Sequence, residues 1–204
     1  MTKVKICGLM ESEHVKVAVD AGADAIGFVF APSRRQVTIQ QAQELAREIP
    51  SGVLKIGVFV NASPEELEQA YREVPLDYVQ YHGDESADFI KKMRLPSIKV
   101  LSVHNEEDVK RATQYAADYY LFDTPGTDFK GGSGKTFDWA LMKDAGIQQD
   151  RIILAGGLNA ENVGEAVQRV QPYMVDVSSG VESMKRKDEN LIRAFISAVK
   201  DEER

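Results

Sequence analysis

Short apolar stretches alternate along this chain with longer stretches in which apolar residues recur every three or four positions. The short stretches are rich in Val, Ile and Phe and predict β-strands, whereas the longer ones predict amphipathic α-helices. Each predicted strand is followed by a helical pattern. The eight predicted strands start near Lys3, Asp24, Val53, Asp77, Ser97, Asp118, Arg151 and Tyr173.

Local signals mark several helix boundaries. Ser63 is a good cap residue and stands before Pro64, which favours the first helical position. Similar starts are predicted at 11–13 and at 159–162. The last helix is predicted from about Asp188 to Val199, because its apolar residues form one stripe.

Eight regular strand–helix units predict a closed parallel (β/α)8 barrel, the TIM-barrel fold, as a single domain over residues 1–204. The alternative is an open doubly wound sheet, which usually has fewer strands. The chain also lacks a dinucleotide-binding glycine fingerprint, so the barrel is favoured. With 204 residues, the barrel would be short beside the typical size of about 250 residues.

Composition and charge limit the kinds of molecule that this chain is expected to bind. The formal net charge of −7 argues against nucleic acid, whose phosphates favour a basic face. It still allows a small phosphorylated substrate in a locally positive pocket. A single cysteine, no signal-like start and no apolar run near the ~18 residues that span a bilayer predict a cytoplasmic location without membrane contact. No obligate protein partner is implied.

Two polar residues stand at predicted strand ends, where barrel enzymes place their active sites. Cys7 is either a small buried apolar residue or a base, and Lys5 on the same strand face would favour its thiolate. Asp123 either caps a turn or, sharing a face with Leu121, points into the barrel mouth. A raised pKa would then suit Asp123 to general-acid catalysis.

Two glycine-containing segments follow the seventh and eighth strands. Gly156 and Gly157 precede the helix start predicted at Asn159, and 178–180 follows the last strand. The simple interpretation is two tight turns. Paired loops at these positions also form the common phosphate site of barrels, since glycine lets backbone N–H groups approach an anion.

Two long connections and a histidine complete the predicted site. Arg34 and Arg35 are either a solvated pair or, over the barrel mouth, a clamp for a carboxylate. The glycine-rich segment from Thr124 to Thr136 is long enough to be a functional loop that closes over substrate. His82 lies at a strand end and is predicted to shape the pocket.

Two patterns are rejected. The run Gly134-Lys135-Thr136 is similar to the end of a phosphate-binding P-loop, but Phe129 stands where the first glycine is required. The three histidines are too scattered for paired metal ligands, so no metal is predicted.

The whole chain resembles the phosphoribosylanthranilate isomerases of tryptophan biosynthesis. No single motif is decisive, but the combination is specific. The motifs that carry the resemblance are VKICG (4–8), GADAIGFVF (22–30), GVFVN (57–61), QYHG (80–83), GGSGKTFDW (131–139), AGGLN (155–159) and VDVSSGVE (175–182).

The resemblance implies an Amadori rearrangement of an aminoaldose to an aminoketose without a cofactor. It implies that Cys7 is the general base, Asp123 the general acid and Arg35 the residue that binds the anthranilate carboxylate, with Arg34 as the alternative. The full predicted substrate-binding set is Arg35, His82, Gly156, Gly157, Asp176, Ser178, Ser179 and Gly180.

Lys5 leads to a separate hypothesis. The first and last strands are neighbours in a closed barrel, and buried lysines are almost always paired. We therefore expect Lys5 to pair with Asp176 inside the barrel.

Three other functions compete with the isomerase. An isomerase of the histidine pathway would need a carboxylate at position 7, and indole-glycerol-phosphate synthase would need a catalytic lysine and glutamates at strand ends. A non-catalytic phosphosugar-binding barrel would need neither Cys7 nor Asp123. Fold alone does not separate these possibilities.

Overall fold

The computed structural model describes residues 1–124, 136–142 and 146–202. Every predicted strand is present and starts within one residue of its predicted position. The barrel strands are β1 (Lys3–Cys7), β2 (Ala25–Val29), β3 (Leu54–Phe59), β4 (Tyr78–Tyr81), β5 (Ser97–Ser102), β6 (Tyr119–Asp123), β7 (Ile152–Leu154) and β8 (Met174–Val177).

The eight strands form a closed barrel in sequential order, and every neighbouring pair is parallel. Pairing of β1 with β8 closes the barrel, and its register places Lys5 beside Asp176. The predicted TIM barrel is therefore confirmed. The carboxyl ends of all eight strands meet at one rim, which is where the candidate residues lie.

Helices surround the barrel: α1 (Ser12–Ala21), α2 (Ile39–Ala46), α3 (Pro64–Glu73), α4 (Ala87–Met93), α5 (Glu106–Lys110), α6 (Val163–Val170) and α7 (Glu189–Asp201). Ser63 caps α3 as predicted, since its hydroxyl accepts from the N–H of Glu66 and the Glu66 carboxylate accepts in return. Asp188 caps α7, since its carboxylate accepts the N–H groups of Asn190 and Leu191.

One helix prediction was wrong and another is only partly described. Between β6 and β7 the described residues form the 3-10 helices Trp139–Met142 and Gln149–Arg151, and residues 125–135 and 143–145 lie outside the description. The helix predicted to start at Asn159 begins at Val163, because the Asn159 side chain accepts N–H bonds within a preceding turn. After β8 a 3-10 turn, Ser179–Val181, leads into a hairpin of β9 (Glu182–Ser183) and β10 (Arg186–Lys187).

Side chains on each strand alternate between two packed layers. The layer inside the barrel contains Ala25, Ile56, Ile98, Val100, Leu121, Ile153, Ala155 and Met174, while a larger layer lies between strands and helices. Val4, Ile6, Phe122 and Val175 belong to the outer layer. Their alternate neighbours Lys5, Cys7, Asp123 and Asp176 therefore face inward.

The amino-terminal rim is held together by a repeated carboxylate contact. Asp24, Asp77 and Asp118 each stand before an even-numbered strand. Each accepts the N–H of the first or second residue of the preceding strand, at 2.9, 2.7 and 2.7 Å. These contacts fix neighbouring strands at the end remote from the candidate site. The opposite rim is thus free to carry function on its loops.

Candidate active site

Lys5 lies fully buried inside the barrel, and its Nζ is 2.9 Å from Oδ2 of Asp176. Burial works to lower the pKa of Lys5, but the Asp176 carboxylate and Cys7 outweigh it and raise that pKa. The lysine is therefore charged, and the predicted pairing with Asp176 is confirmed. Oδ1 of Asp176 is also buried, and it accepts no hydrogen bond from the described residues.

Cys7 is buried at the end of β1 and shares the interior with Lys5. The facing residue on β2 is Gly27, and a Cβ there would lie 2.9 Å from the Cys7 Sγ and 3.1 Å from the Lys5 Nζ. Glycine at this position therefore makes room for both groups. Burial raises the pKa of the Cys7 thiol, and Lys5 and Lys187 only partly oppose this. Lys5 therefore favours the Cys7 thiolate as expected, but burial has the larger effect on the pKa of the thiol.

Asp123 ends β6 and is buried. Burial, followed by the nearby Asp176 charge, raises its pKa from 3.8 to about 7, against smaller opposing effects of the Thr124 N–H and Lys5. His82 reaches the same point from β4, with Nε2 3.7 Å from the Asp123 carboxylate. The carboxyl group thus holds a proton near neutrality, as general-acid catalysis requires.

The loops after β7 and β8 meet beside these two groups. Gly156 has φ +88°, and a Cβ there would lie 2.3 Å from the Thr124 N and 2.8 Å from an Asp123 oxygen. A Cβ on Gly180 would lie 1.8 Å from the carbonyl oxygen of Leu158, so the two loops touch. Only glycine fits at either position, as the predicted phosphate loops require.

The second loop also contacts Cys7 directly. The hydroxyl of Ser178 donates to the Cys7 carbonyl at 3.2 Å, and Ser179 begins the short 3-10 turn that follows. Gly157 has φ +67°, which likewise suits glycine. The predicted phosphate residues therefore lie on the same rim as the predicted acid and base. A helix N-terminus does not complete the first loop, because α6 starts only at Val163.

Arg35 reaches the rim from the loop after β2. A Cβ on Gly8, next to Cys7, would lie 2.6 Å from the Arg35 Cδ, so the arginine stem crosses Gly8 closely. Arg34 is more exposed, at 43% against 19% for Arg35. The structure therefore places Arg35 nearer to Cys7 than solvent-facing Arg34.

Two functional candidates were missed by sequence reasoning. Glu182 accepts from the Arg35 Nε at 2.6 Å and Nη2 at 3.0 Å, and it pairs with Lys187 at 3.1 Å. Lys187 also donates to the carbonyl of Ser178 at 2.7 Å. Burial opposes ionisation of Glu182, but Arg35 and Lys187 prevail and lower its pKa to about 2. Glu182 is part of the motif VDVSSGVE, which was the only feature of the sequence that pointed to it.

Some predictions concern residues outside the description. The segment expected to close over substrate and the rejected P-loop pattern both run through 125–135, which the structure does not describe. Within the described ranges, no three His, Cys, Asp or Glu side chains gather as a metal site requires. No helix in those ranges is long and apolar enough to cross a membrane.

Known proteins resemble the chain over nearly its full length. Residues 4–198 match the family model for N-(5'phosphoribosyl)anthranilate (PRA) isomerase. A Bacillus cereus protein named N-(5'-phosphoribosyl)anthranilate isomerase is 50% identical over 199 residues, 97% of this chain and 98% of that protein. The crystal structure of phosphoribosyl anthranilate isomerase from Thermotoga maritima is 41% identical, with TM-score 0.91 and coverage of 98% and 100%. A similar isomerase, 39% identical with TM-score 0.87 and coverage of 98% and 100%, was solved with reduced 1-(o-carboxyphenylamino)-1-deoxyribulose 5-phosphate.

Proposed function

The chain belongs to the N-(5'-phosphoribosyl)anthranilate isomerase family, and on that premise we propose that Cys7 is the general base and Asp123 the general acid of its reaction. The enzyme catalyses the Amadori rearrangement of N-(5'-phosphoribosyl)anthranilate to 1-(2-carboxyphenylamino)-1-deoxyribulose 5-phosphate in tryptophan biosynthesis. The observation that carries the proposed roles is the shared rim position of a buried thiol and a carboxyl group of raised pKa.

The chemistry requires one proton donor and one proton acceptor. Asp123 donates its proton to the ring oxygen, the C1′–O bond breaks, and the sugar opens to a protonated imine. Cys7 then removes the proton from C2′, which gives an enolamine. The enolamine tautomerises to the ketone as its hydroxyl proton is lost and C1′ gains one.

The ionisation states explain how both roles coexist. With a pKa of about 7, Asp123 keeps its proton in about half of the molecules at neutral pH. The thiol of Cys7, whose pKa is raised above 9.0, is mostly protonated. The reactive combination of acid and thiolate is therefore a minor ionisation state.

The remaining site residues fit the charges of the substrate. The phosphate would bind at the touching loops around Gly156, Gly157 and 178–180, which contain no carboxylate of their own. The carboxylate would bind Arg35. The spare buried oxygen of Asp176 would accept a sugar hydroxyl, which satisfies an acceptor that the described residues leave unpaired.

An assay with the purified protein tests this assignment. Disappearance of phosphoribosylanthranilate fluorescence is followed with no added metal or nucleotide, beside a Cys7→Ser variant. We expect turnover by the natural sequence and a loss of at least two orders of magnitude in the variant, since the weakly acidic hydroxyl is a poor base. Turnover of both proteins at similar rates would refute the role of Cys7. Absence of turnover by the natural sequence would refute the activity itself.

Three further predictions stay proposals. These are a single domain over residues 1–204, a cytoplasmic location and no obligate protein partner. The phosphorylated small-molecule substrate has the stronger support, since a related isomerase was solved with such a compound.

A further inference from the structure

Glu182 binds the guanidinium of Arg35 through two parallel contacts, at 2.6 Å from Nε and 3.0 Å from Nη2. The carboxylate is only 5% exposed, whereas Arg35 is 19% exposed. Glu182 therefore lies beneath the arginine and fixes it from the protein side. Such paired contacts restrict the plane of a guanidinium as well as its position.

Arg35 has more N–H donors than its contacts with Glu182 use. A guanidinium carries five N–H donors, and the contacts to Glu182 use one on Nε and one on Nη2. Within the described part of the chain, three N–H groups remain on Nη1 and Nη2, in the fork geometry that matches a second carboxylate. Arg35 can thus bind Glu182 and a substrate carboxylate at the same time.

A buried carboxylate close to a carboxylate-binding site would normally repel the ligand. Here three cations surround Glu182: Arg34, Arg35 and Lys187 all contact its oxygens. Lys187 is itself buried and is anchored to Ser178, on the loop that touches Cys7. The local charge therefore stays positive, and Glu182 is held too firmly to be displaced easily.

We propose that Glu182 is the positioning residue of the substrate-carboxylate site, which orients Arg35 while Lys187 balances its charge. This inference rests on the proposed binding of the substrate carboxylate by Arg35. The opposite possibility is that Glu182 competes with the substrate for Arg35. The two possibilities predict opposite changes in ligand affinity, because removing a positioning group weakens carboxylate binding and removing a competitor strengthens it.

Calorimetric binding and steady-state kinetics test the proposal in Glu182→Gln. The ligands are reduced 1-(o-carboxyphenylamino)-1-deoxyribulose 5-phosphate and the same compound with hydrogen in place of the carboxyl group. We expect Kd for the first to rise about tenfold and Kd for the second to change less than twofold. KM should rise with kcat within about threefold of its original value, as loss of uniform binding predicts.

Variants of neighbouring groups separate positioning from structural damage. Because Glu182→Gln leaves the Lys187 ammonium unpaired, the binding measurements are repeated in Glu182→Gln/Lys187→Met, with the same selective loss expected. In Arg35→Ala, adding Glu182→Gln should cause no further loss. Glu11→Gln is the matched control, since Glu11 binds the guanidinium of Arg186 in a similar paired contact on the exposed surface.

Three outcomes would overturn the proposal: tighter binding of the carboxylate ligand, equal weakening of both ligands, or effects of Arg35→Ala and Glu182→Gln that add. Failure of the proposed function would look different, since the natural sequence would then bind neither ligand or show no turnover.

Discussion

Two of the buried lysine–carboxylate pairs among the described residues have their lysine on a barrel strand, one facing the inside of the barrel wall and one facing the outside. The inner pair is Lys5 with Asp176 and the outer pair is Lys99 with Glu85, each with an N–O distance of 2.9 Å. Lys99 shares its strand face with outer-layer Leu101. The same two chemical groups at the same distance thus occur in two different environments.

The outer pair is completely satisfied by the protein. The carboxylate of Glu85 accepts the N–H of Asn61 at 2.8 Å and that of Gly83 at 3.0 Å, and Lys99 also donates to the Gly83 carbonyl at 2.8 Å. These contacts bind the loops after β3 and β4 to β5. The loop N–H groups of Asn61 and Gly83 are occupied here by the chain's own Glu85 carboxylate.

The inner pair is incompletely satisfied. Oδ1 of Asp176 has no donor among the described residues, and Lys5 and Asp176 both act electrostatically on Cys7 and Asp123. The loops after β7 and β8, beside the inner pair, contain Gly156 and Gly180, whereas the loop after β4, beside the outer pair, contains Glu85. The comparison teaches that an ion pair whose carboxylate is fully hydrogen-bonded serves structure, whereas one whose carboxylate keeps an available oxygen can serve a site on the same rim.

Asp123→Asn, in the inner region, should produce the largest effect, a loss of catalysis without a loss of stability. We expect kcat to fall about 10²–10⁴-fold, the usual contribution of a general acid, because an amide cannot donate the required proton. The free energy of unfolding at neutral pH should not fall, since a buried ionisable group is removed. Single-turnover kinetics and urea unfolding measure the two quantities.

The same substitution at an exposed position controls this experiment. Asp88 lies on the surface of α4, and Asp88→Asn should leave both quantities unchanged. A kcat for Asp123→Asn within tenfold of the original value would contradict the acid role.

Lys99→Met should produce the reverse pattern, a loss of stability with little loss of chemistry. Removing one partner of a buried ion pair leaves the Glu85 charge uncompensated, and the expected loss in unfolding free energy is about 3–5 kcal/mol. The kcat per folded molecule should stay within about threefold. Urea unfolding and active-site titration at low temperature measure these values.

The double variant Lys99→Met/Glu85→Gln checks the cause of that loss. A single amide oxygen in the place of Oε1 can still accept the N–H groups of Asn61 and Gly83, which both contact that oxygen of Glu85, but it carries no charge, so part of the lost stability should return. An equally unstable double variant would mean that packing of the Lys99 stem, rather than its charge, holds the outer pair together.

The inner region was the more predictable of the two from sequence. Strand periodicity located all eight strands, and alternation along β1, β6 and β8 placed Lys5, Cys7, Asp123 and Asp176 on inward faces. Those four residues stand within strands, where side-chain direction follows directly from position. The pairing of Lys5 with Asp176 needed only the additional assumption that the barrel closes.

Residues on loops were less predictable, because a loop has no periodicity from which direction can be inferred. Glu85, Glu182 and Lys187 all reach their partners from connections whose paths depend on tertiary contacts. The start of α6 was misplaced for a related reason, since Asn159 favours either a cap or a turn. Ionisation was also unpredictable: burial, which sequence does not give, decides the pKa direction of Cys7.

The most gradual expected effect concerns how the stability of the inner region changes with pH. Burial, then the Asp176 charge, raises the pKa of Asp123 in the folded chain to about 7, above its ordinary 3.8. Between these values the folded state binds more protons than the unfolded state. The contribution of Asp123 is therefore fully present below about pH 3.8 and is lost as pH rises towards 7.

Asp123→Asn removes the titrating carboxyl group and therefore the pH dependence of stability that this group causes. The unfolding free energy of the natural sequence minus that of the variant should fall with rising pH across the window, by at most about 1.4 kcal/mol per pH unit. Above pH 7 the difference should level off. Urea unfolding of both proteins in parallel buffers provides the measurement. A flat difference would mean that Asp123 ionises in the folded chain as easily as in the unfolded one, and a difference that rose with pH would mean that it ionises more easily; either result would contradict the raised pKa of Asp123.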